Sequence, residues 1–297
     1  MDVLKKDQAQ MILQIFVAIL LFRFVLFDPL IDILGLSLFH YIAYLIATAA
    51  IMYGGILLYK VVLQEELPEK SIEKNIERAY YKYLAANVVG IGISFLVSSE
   101  IDKTYYFGFF LALAAILYLF ITQWRKILIF DNVVFAYIIT FPLFLMVVVD
   151  LMPSLQTVEI QDPVKQQLLP ISLQICALLY ILYFIKTIVM DLKFMELDIK
   201  HKRKSLATIH GRLKGAKRTT ILSLLPLVLI LLFCGFHTNL SLLIGYILIA
   251  VVIPYIIYLL KLYKAETTEN FISANAFLNI IIWLTIFSIV VLFFNLK

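Results

Sequence analysis

Residues 219–260 read TTILSLLPLVLILLFCGFHTNLSLLIGYILIAVVIPYIIYLL and contain no aspartate, glutamate, lysine or arginine. A helix crosses the hydrocarbon core of a bilayer with about 20 apolar residues, so this stretch predicts two crossings joined by a tight turn at residues 236–239. The rest of the chain is similar, since hydrophobic residues make up 63% and charged residues 15% of the 297. Soluble domains are roughly 45–50% apolar and about 25% charged. The sequence therefore predicts a polytopic integral membrane protein.

Apolar windows of about 20 residues predict nine transmembrane helices in a single polytopic domain covering residues 1–297. The predicted spans are 11–28, 38–63, 79–99, 105–122, 130–150, 168–190, 219–236, 239–260 and 275–295. Basic residues concentrate on the cytoplasmic side of membranes. A cytoplasmic N-terminus and an outside C-terminus leave only Lys103, Lys165 and Lys297 outside, with Arg23 inside a span. We expect Arg23 to reach the outer surface and pair with Asp28 or Asp32.

Two long, charged loops follow the second and sixth spans, at residues 64–78 and 191–218, and both are predicted to be cytoplasmic. The second begins within MDLKFMELDIKHKRKSLATIHG, residues 190–211. Asp191 and Asp198 are seven positions apart, roughly two turns, and so share a face if the helix continues. Glu196 is rotated away from that face and is expected to contact water. Carboxylate oxygens are ligands for Mg²⁺, and the lysines and Arg203 that follow suit phosphate oxygens.

This arrangement resembles the UbiA superfamily of intramembrane prenyltransferases, which have nine helices and cytoplasmic caps after the second and sixth. The second Asp-rich motif of that family is matched in one register, with Phe194 at the position of its middle acid. The matching residues are Asp191, Asp198, Arg203, Lys204, Ser205, Leu206, Ala207 and Gly211. The sequence RKILIFDN at residues 125–132 is similar to the family's entrance to the fifth helix, with Asp131 in place of glycine.

The resemblance implies a UbiA-like helical bundle and assigns residues to a site, although it identifies no catalytic residue. Asp191 and Asp198 would hold a metal ion. Lys200, Lys202, Arg203, Lys204 and Lys70 would bind a diphosphate, and Arg125, Lys126 and Asn132 would line the cavity entrance. The first Asp-rich motif has no acid in the direct register, where Gly55, Ile56, Tyr59 and Leu63 stand. A shifted register offers Glu66 and Glu69 as further metal ligands, and the alternative is an exposed, charge-mixed helix.

Two functions follow from this resemblance. With so many acids missing, the first hypothesis is an isoprenoid- or lipid-binding relative, or a subunit of a membrane complex, without efficient transferase activity. The alternative is a Mg²⁺-dependent prenyltransferase that moves a polyprenyl group from its diphosphate to a lipid-soluble acceptor, so Mg²⁺ is expected only if the protein is active. A transporter or unrelated scaffold is a third option, and the basic cluster is also explained by attraction to anionic lipids.

Expected partners are membrane lipids, a prenyl diphosphate or another membrane protein, and not nucleic acid. The lysine-, isoleucine- and phenylalanine-rich composition suggests a bacterial cytoplasmic membrane.

Overall fold

The computed structural model of the protein describes residues 2–31, 34–65, 73–124, 127–157, 163–200 and 203–297, and regular structure within these ranges is helical. Nine of the described stretches are long and apolar enough to cross a membrane. They are Asp7–Phe27, Leu38–Tyr59, Glu77–Glu100, Thr104–Thr122, Phe130–Ser154, Gln167–Lys193, Leu206–Phe236, Ser241–Tyr263 and Thr268–Leu296. The prediction of nine spans in an all-helical integral membrane protein is confirmed. The cytoplasmic N-terminus and the UbiA-like bundle stay predictions.

The chain divides into two compact units, which we describe separately. Unit 1 comprises residues 1–34 and 126–297, and unit 2 comprises residues 35–125. The single polytopic domain expected from the sequence stays a prediction. All the polar clusters described below lie in unit 1.

Unit 2 consists of three long helices that pack at short distances. They are α2 (Leu38–Glu65), α3 (Glu73–Glu100) and α4 (Phe107–Thr122), the last preceded by a short 3₁₀ turn, Thr104–Tyr106. Helix α3 approaches the backbone of α2 closely at Gly90, where an added Cβ would lie 2.9 Å from the carbonyl oxygen of Ala47 and 2.7 Å from Cγ1 of Ile51. Small residues at helix contacts allow backbones to approach closely within membranes.

Unit 1 is built around the helices α7 and α13. Its elements are α1 (Asp2–Leu21), α5 (Phe130–Met146), α6 (Met152–Thr157), α7 (Pro163–Lys193), α8 (Met195–Lys200), α9 (Leu206–Leu222), α10 (Leu224–Phe236), α11 (Ser241–Tyr246), α12 (Ile253–Tyr263) and α13 (Thr268–Leu296). Helix α7 packs against α5, α9 and α13, and α1 packs against α5 and α13. Leu179, Leu182 and Ile185 of α7 and Ile281 of α13 are fully buried at this centre.

Three π-helical segments interrupt the spans of unit 1, at Phe22–Phe27, Val147–Leu151 and Ile247–Val252. The first two carry Arg23 and Asp150, which form a buried ion pair. Nη1 of Arg23 lies 2.7 Å from Oδ1 and 2.8 Å from Oδ2 of Asp150. Asp28 is 4.0 Å from Arg23, and Asp32 lies outside the described residues. The expected contact between Arg23 and Asp28 is therefore present, but it is long and lies beside a shorter pairing with Asp150 that the sequence did not predict. The packing of α1 against α5 brings the two spans that carry Arg23 and Asp150 together.

Gly211 bends α9 near its start, since its φ of 73° and ψ of 168° are not helical. This backbone region is essentially restricted to glycine, and other residues there are strained by about 1–3 kcal/mol. We expect Gly211→Ala to destabilise the detergent-purified protein by that amount in thermal unfolding. No heavy atom lies within 4 Å of an added Cβ at this position, so backbone strain is the only cost.

The control for this prediction is Gly235→Ala in α10. An added Cβ there also meets no heavy atom within 4 Å, and the backbone is helical. Alanine exceeds glycine in helix propensity by about 1 kcal/mol, so this variant should be neutral or slightly more stable. Equal unfolding temperatures for the two variants would contradict the strain assigned to Gly211.

Candidate functional site

Three buried carboxylates converge on one guanidinium at the end of unit 1 that is predicted to face the cytoplasm. Asp131 begins α5, Asp191 lies near the end of α7, and Asp198 lies in α8; each is less than a tenth exposed. Arg203 follows α8, and its side chain lies among the three. We call these four residues, together with Asn132, the acid cluster.

The guanidinium of Arg203 contacts each of the three acids. Its Nε and Nη2 both donate to Oδ2 of Asp131, the former at 2.9 Å. Its Nη1 lies 3.0 Å from Oδ1 of Asp191 and 3.2 Å from Oδ1 of Asp198. The planar guanidinium offers five N–H donors in a fixed geometry, which is why one arginine can serve three carboxylates.

Asn132 and the backbone bind further oxygens of the cluster. Nδ2 of Asn132 donates to Oδ2 of Asp191 at 2.8 Å, and its backbone N–H donates to Oδ1 of Asp131 at 2.8 Å. Ile129, immediately before α5, has a φ of 64°. A β-branched residue with positive φ is a backbone outlier, so the turn that presents Asp131 and Asn132 is held in place by its surroundings.

Local structure on both sides holds Arg203 in this position. Its backbone N–H donates to the carbonyl oxygen of Asp198 at 2.9 Å. Ser205 caps α9 through a reciprocal pair of hydrogen bonds with Thr208, whose hydroxyl also donates to the carbonyl oxygen of Arg203 at 3.2 Å. Burial alone would lower the pKa of Arg203, but the carboxylates of Asp191, Asp131 and Asp198 raise it above its ordinary value. The guanidinium therefore stays charged.

The acid cluster does not fit a divalent cation in this arrangement. Mg²⁺ needs near-octahedral oxygen ligands, whereas the oxygens of Asp131 and Asp191 all face N–H donors and a fixed positive charge lies between the acids. Within the described ranges, no group of three or more His, Cys, Asp or Glu side chains is arranged to hold a metal ion. Arg203 occupies the space between carboxylates that a cation would need.

The residues predicted for the site divide into three groups. Asp191, Asp198, Arg203 and Asn132 come together, whereas Lys200 and Lys204 are exposed. Glu196 is also exposed, in agreement with its predicted orientation toward water, and its carboxylate lies 2.9 Å from Nη2 of Arg212. Glu66, Glu69, Lys70, Arg125, Lys126 and Lys202 lie outside the described residues. The sequence analysis noted Asp131 only because it stands where the family has a glycine, and did not assign it to the site. Its position directly before Asn132, which was assigned to the site, was the feature that could have identified it.

A second buried polar group, absent from the sequence predictions, links α1, α7 and α13. Nζ of Lys193 lies 2.7 Å from Oδ2 of Asp7, and Nδ2 of Asn275 donates to Oδ1 of the same carboxylate at 3.3 Å. Deeper in the bundle, the fully buried Lys186 donates to Oδ1 of Asn279. We call these five residues the polar ladder. Buried ionisable residues in membranes usually face a partner, as they do here.

The polar ladder and the acid cluster lie on different sides of α7. At about 100° per residue, Lys193 returns to within roughly 20° of Lys186, whereas Asp191 is displaced by about 140°. Gln14 extends the ladder, since its Nε2 donates to the carbonyl oxygen of Asn279 at 3.2 Å and its Oε1 accepts from the Tyr183 hydroxyl at 3.1 Å. Asp191 and Lys193 thus make polar contacts on two different sides of α7. These contacts, together with apolar packing, fix the rotation of α7 about its own axis.

The chain was compared with known proteins at three levels. No protein-family model, no curated protein and no solved structure matches it. The resemblance to the UbiA superfamily stays a prediction that rests on the residues quoted above.

Proposed function

We propose that this integral membrane protein binds an isoprenoid or another membrane lipid, alone or as a subunit of a membrane complex, and does not catalyse efficient prenyl transfer. The location we propose is the bacterial cytoplasmic membrane. One observation supports the proposal above all others: the guanidinium of Arg203 lies among the carboxylates of Asp131, Asp191 and Asp198. A metal-bound diphosphate would need those carboxylates for its metal.

The physical argument concerns both charge and geometry. Departure of a diphosphate builds up negative charge, which metal ions and cationic side chains stabilise. In the acid cluster, Arg203 neutralises carboxylates instead, and the carboxylates in turn hold its donors. Neither partner is then available to a diphosphate. The acid cluster is therefore better suited to joining α5, α7 and the start of α9 than to ionising a substrate.

The alternative, a Mg²⁺-dependent prenyltransferase, has its own supporting observation. Asp191, Asp198, Arg203 and Asn132, which the UbiA resemblance assigns to one site, do lie together. Under this alternative Arg203 must leave the acids before Asp191 and Asp198 are available to a metal. The two functions therefore differ in whether Mg²⁺ changes ligand binding.

Thermal unfolding of the purified protein separates the two functions. The ligands are geranylgeraniol and geranylgeranyl diphosphate, each tested with and without Mg²⁺, on the wild type and on Asp191→Asn/Asp198→Asn. We expect both ligands to raise the unfolding temperature independently of Mg²⁺ and of the substitutions, because the hydrocarbon chain provides the binding energy. Stabilisation by the diphosphate alone that requires Mg²⁺ and is lost in the double variant would establish the alternative.

A further inference from the structure

A cavity of about 220 Å³ lies within unit 1, away from the acid cluster. Its walls come from α7, α10, α11 with the π-helical segment Ile247–Val252, and α13. Along α7 it extends from Gln174 to Ile181, and Ile181 precedes Asp191 by ten residues, or about 15 Å of helix. The cavity thus lies beside the middle of α7, and along α10 it reaches Phe236, at the end of that helix predicted to face the outside.

The cavity wall is apolar and uncharged. Leucine, isoleucine, valine, alanine and phenylalanine side chains form most of it, and Gln174, Thr285 and Ser288 are its polar members. The Thr285 hydroxyl donates to the carbonyl oxygen of Ile281 at 2.9 Å, and that of Ser288 donates to the carbonyl oxygen of Thr285 at 2.6 Å. These two side chains therefore present only lone pairs to the cavity. A predominantly apolar cavity favours hydrocarbon over water.

The rim of the cavity is polar but neutral. Nε2 of His237 lies 2.7 Å from Oε1 of Gln174, an atom that can only accept, so the imidazole donates this bond. Burial lowers the pKa of His237, which keeps the ring neutral near pH 7. The amide nitrogen of Gln174 is a further donor at the rim. Among the described residues, those that line the cavity, together with His237, carry no charge to pair with a charged headgroup, whereas an alcohol or carbonyl oxygen finds donors in Gln174 and His237.

The size of the cavity limits what enters it. A cavity of about 150 Å³ holds benzene, and pockets for whole ligands are usually about 300–1,000 Å³. At about 220 Å³, this cavity suits a segment of a hydrocarbon chain, with the rest of the molecule lying along the protein. Gln174 and Phe236 are exposed at its edge, which provides a route from the surrounding membrane.

We infer that this cavity binds the hydrocarbon chain of a lipid whose head is an uncharged hydrogen-bonding group, such as an alcohol or carbonyl, held by Gln174 and His237. The inference shares with the proposed function only the idea that the ligand is a lipid. The cavity is a binding position for that lipid separate from the acid cluster, and its rim selects a lipid with a neutral head.

The test is photo-crosslinking of the purified full-length protein with a diazirine-bearing hexadecanol, followed by mass-spectrometric mapping of the labelled peptides. We expect labelling of the segments of α7, α10 and α13 that line the cavity. Ala177→Trp places an indole in the cavity and should lower that labelling roughly tenfold, which corresponds to about 1.4 kcal/mol of binding free energy. Leu231→Trp is the matched control, because Leu231 is exposed on α10 and does not line the cavity. This control should label like the wild type.

Competition between the probe and unlabelled lipids identifies the hydrocarbon chain and the headgroup that the cavity prefers. Unlabelled geranylgeraniol and hexadecanol should displace the probe, whereas palmitate should not; the stronger competitor shows whether the natural chain is isoprenoid or straight. Equal competition by palmitate, or undiminished labelling in an Ala177→Trp protein that unfolds at the wild-type temperature, would overturn the inference. Asp191→Asn/Asp198→Asn should leave labelling unchanged. Stabilisation by geranylgeraniol without cavity labelling would refute this site and leave the proposed function standing.

Discussion

Replacing Arg203 with methionine is expected to destabilise the protein by about 3–5 kcal/mol, the usual cost of removing one partner from a buried charge cluster. The carboxylates of Asp131, Asp191 and Asp198 would remain buried without the guanidinium that now contacts all three. Thermal unfolding in detergent measures the loss. Arg203→Lys should recover only part of it, because an ammonium group cannot reproduce the planar fork of donors.

Arg212→Met is the matched control for this substitution. Arg212 also pairs with an acid, but the Glu196 side chain is 81% exposed, and exposed ion pairs contribute about 0–1 kcal/mol. Adding Asp131→Asn and Asp191→Asn to Arg203→Met should restore stability, since two of the three uncompensated charges are removed. Similar unfolding temperatures for Arg203→Met and Arg212→Met would contradict the role assigned to the acid cluster.

The same variant is expected to acquire a response to divalent cations. Without the guanidinium, carboxylate oxygens on three elements become available, and oxygen is the ligand that Mg²⁺ prefers. We expect Mg²⁺ to raise the unfolding temperature of Arg203→Met more than that of the wild type. Stronger stabilisation of the wild type by Mg²⁺ would instead favour the prenyltransferase alternative.

Replacing Asp150 with leucine is expected to cost about 3–5 kcal/mol, because Arg23 would remain charged inside the bundle without the carboxylate whose two oxygens accept from its Nη1. The two residues lie 127 positions apart in the sequence, on π-helical segments of different spans, and both are buried. Arg23→Leu combined with Asp150→Leu should recover most of the loss, since paired removal leaves neither member of this ion pair buried without the other.

Asp28→Leu serves as the control for the ion pair. The Asp28 side chain is 57% exposed and lies 4.0 Å from Arg23, so its removal should change the free energy of unfolding by less than about 1 kcal/mol. Unfolding temperatures of the wild type and of these three variants, measured in one detergent, provide the comparison. Equal losses for Asp28→Leu and Asp150→Leu would show that the buried pair does not stabilise the bundle.

The nine spans were predictable because a bilayer imposes one strong rule on sequence. Backbone polar groups must be satisfied within each crossing segment, so uninterrupted apolar windows translate directly into helices. A shared face for Asp191 and Asp198 was predicted only for one helix continuing through both residues, whereas α7 ends at Lys193 and α8 begins at Met195. The two carboxylates nevertheless both contact Arg203, which helical periodicity alone does not explain.

The partners of the charged residues were not predictable in the same way. Arg203 was assigned to a phosphate because basic residues near acids suit an anion, yet its backbone bond to Asp198 turns its side chain back onto the carboxylates. Asp150 ends an apolar run and showed no local sign of a partner. Lys186 and Asn279 are 93 positions apart. Such pairs depend on which helices are neighbours, and hydropathy does not contain that information.

The polar ladder has a consequence for the order in which unit 1 is assembled. It joins Asp7 of α1 to Lys193 of α7 and to Asn275 of α13, and Lys186 of α7 to Asn279 of α13. A ribosome makes α13 after every other helix of the unit, so α1 and α7 enter the membrane before the amides that complete the ladder exist. Until then, the Lys186 amine in α7 lacks the Asn279 carbonyl oxygen that accepts its hydrogen bond in the complete bundle. The polar ladder therefore forms only after α13 has been made, and truncation before α13 should yield a protein that quality-control proteases degrade.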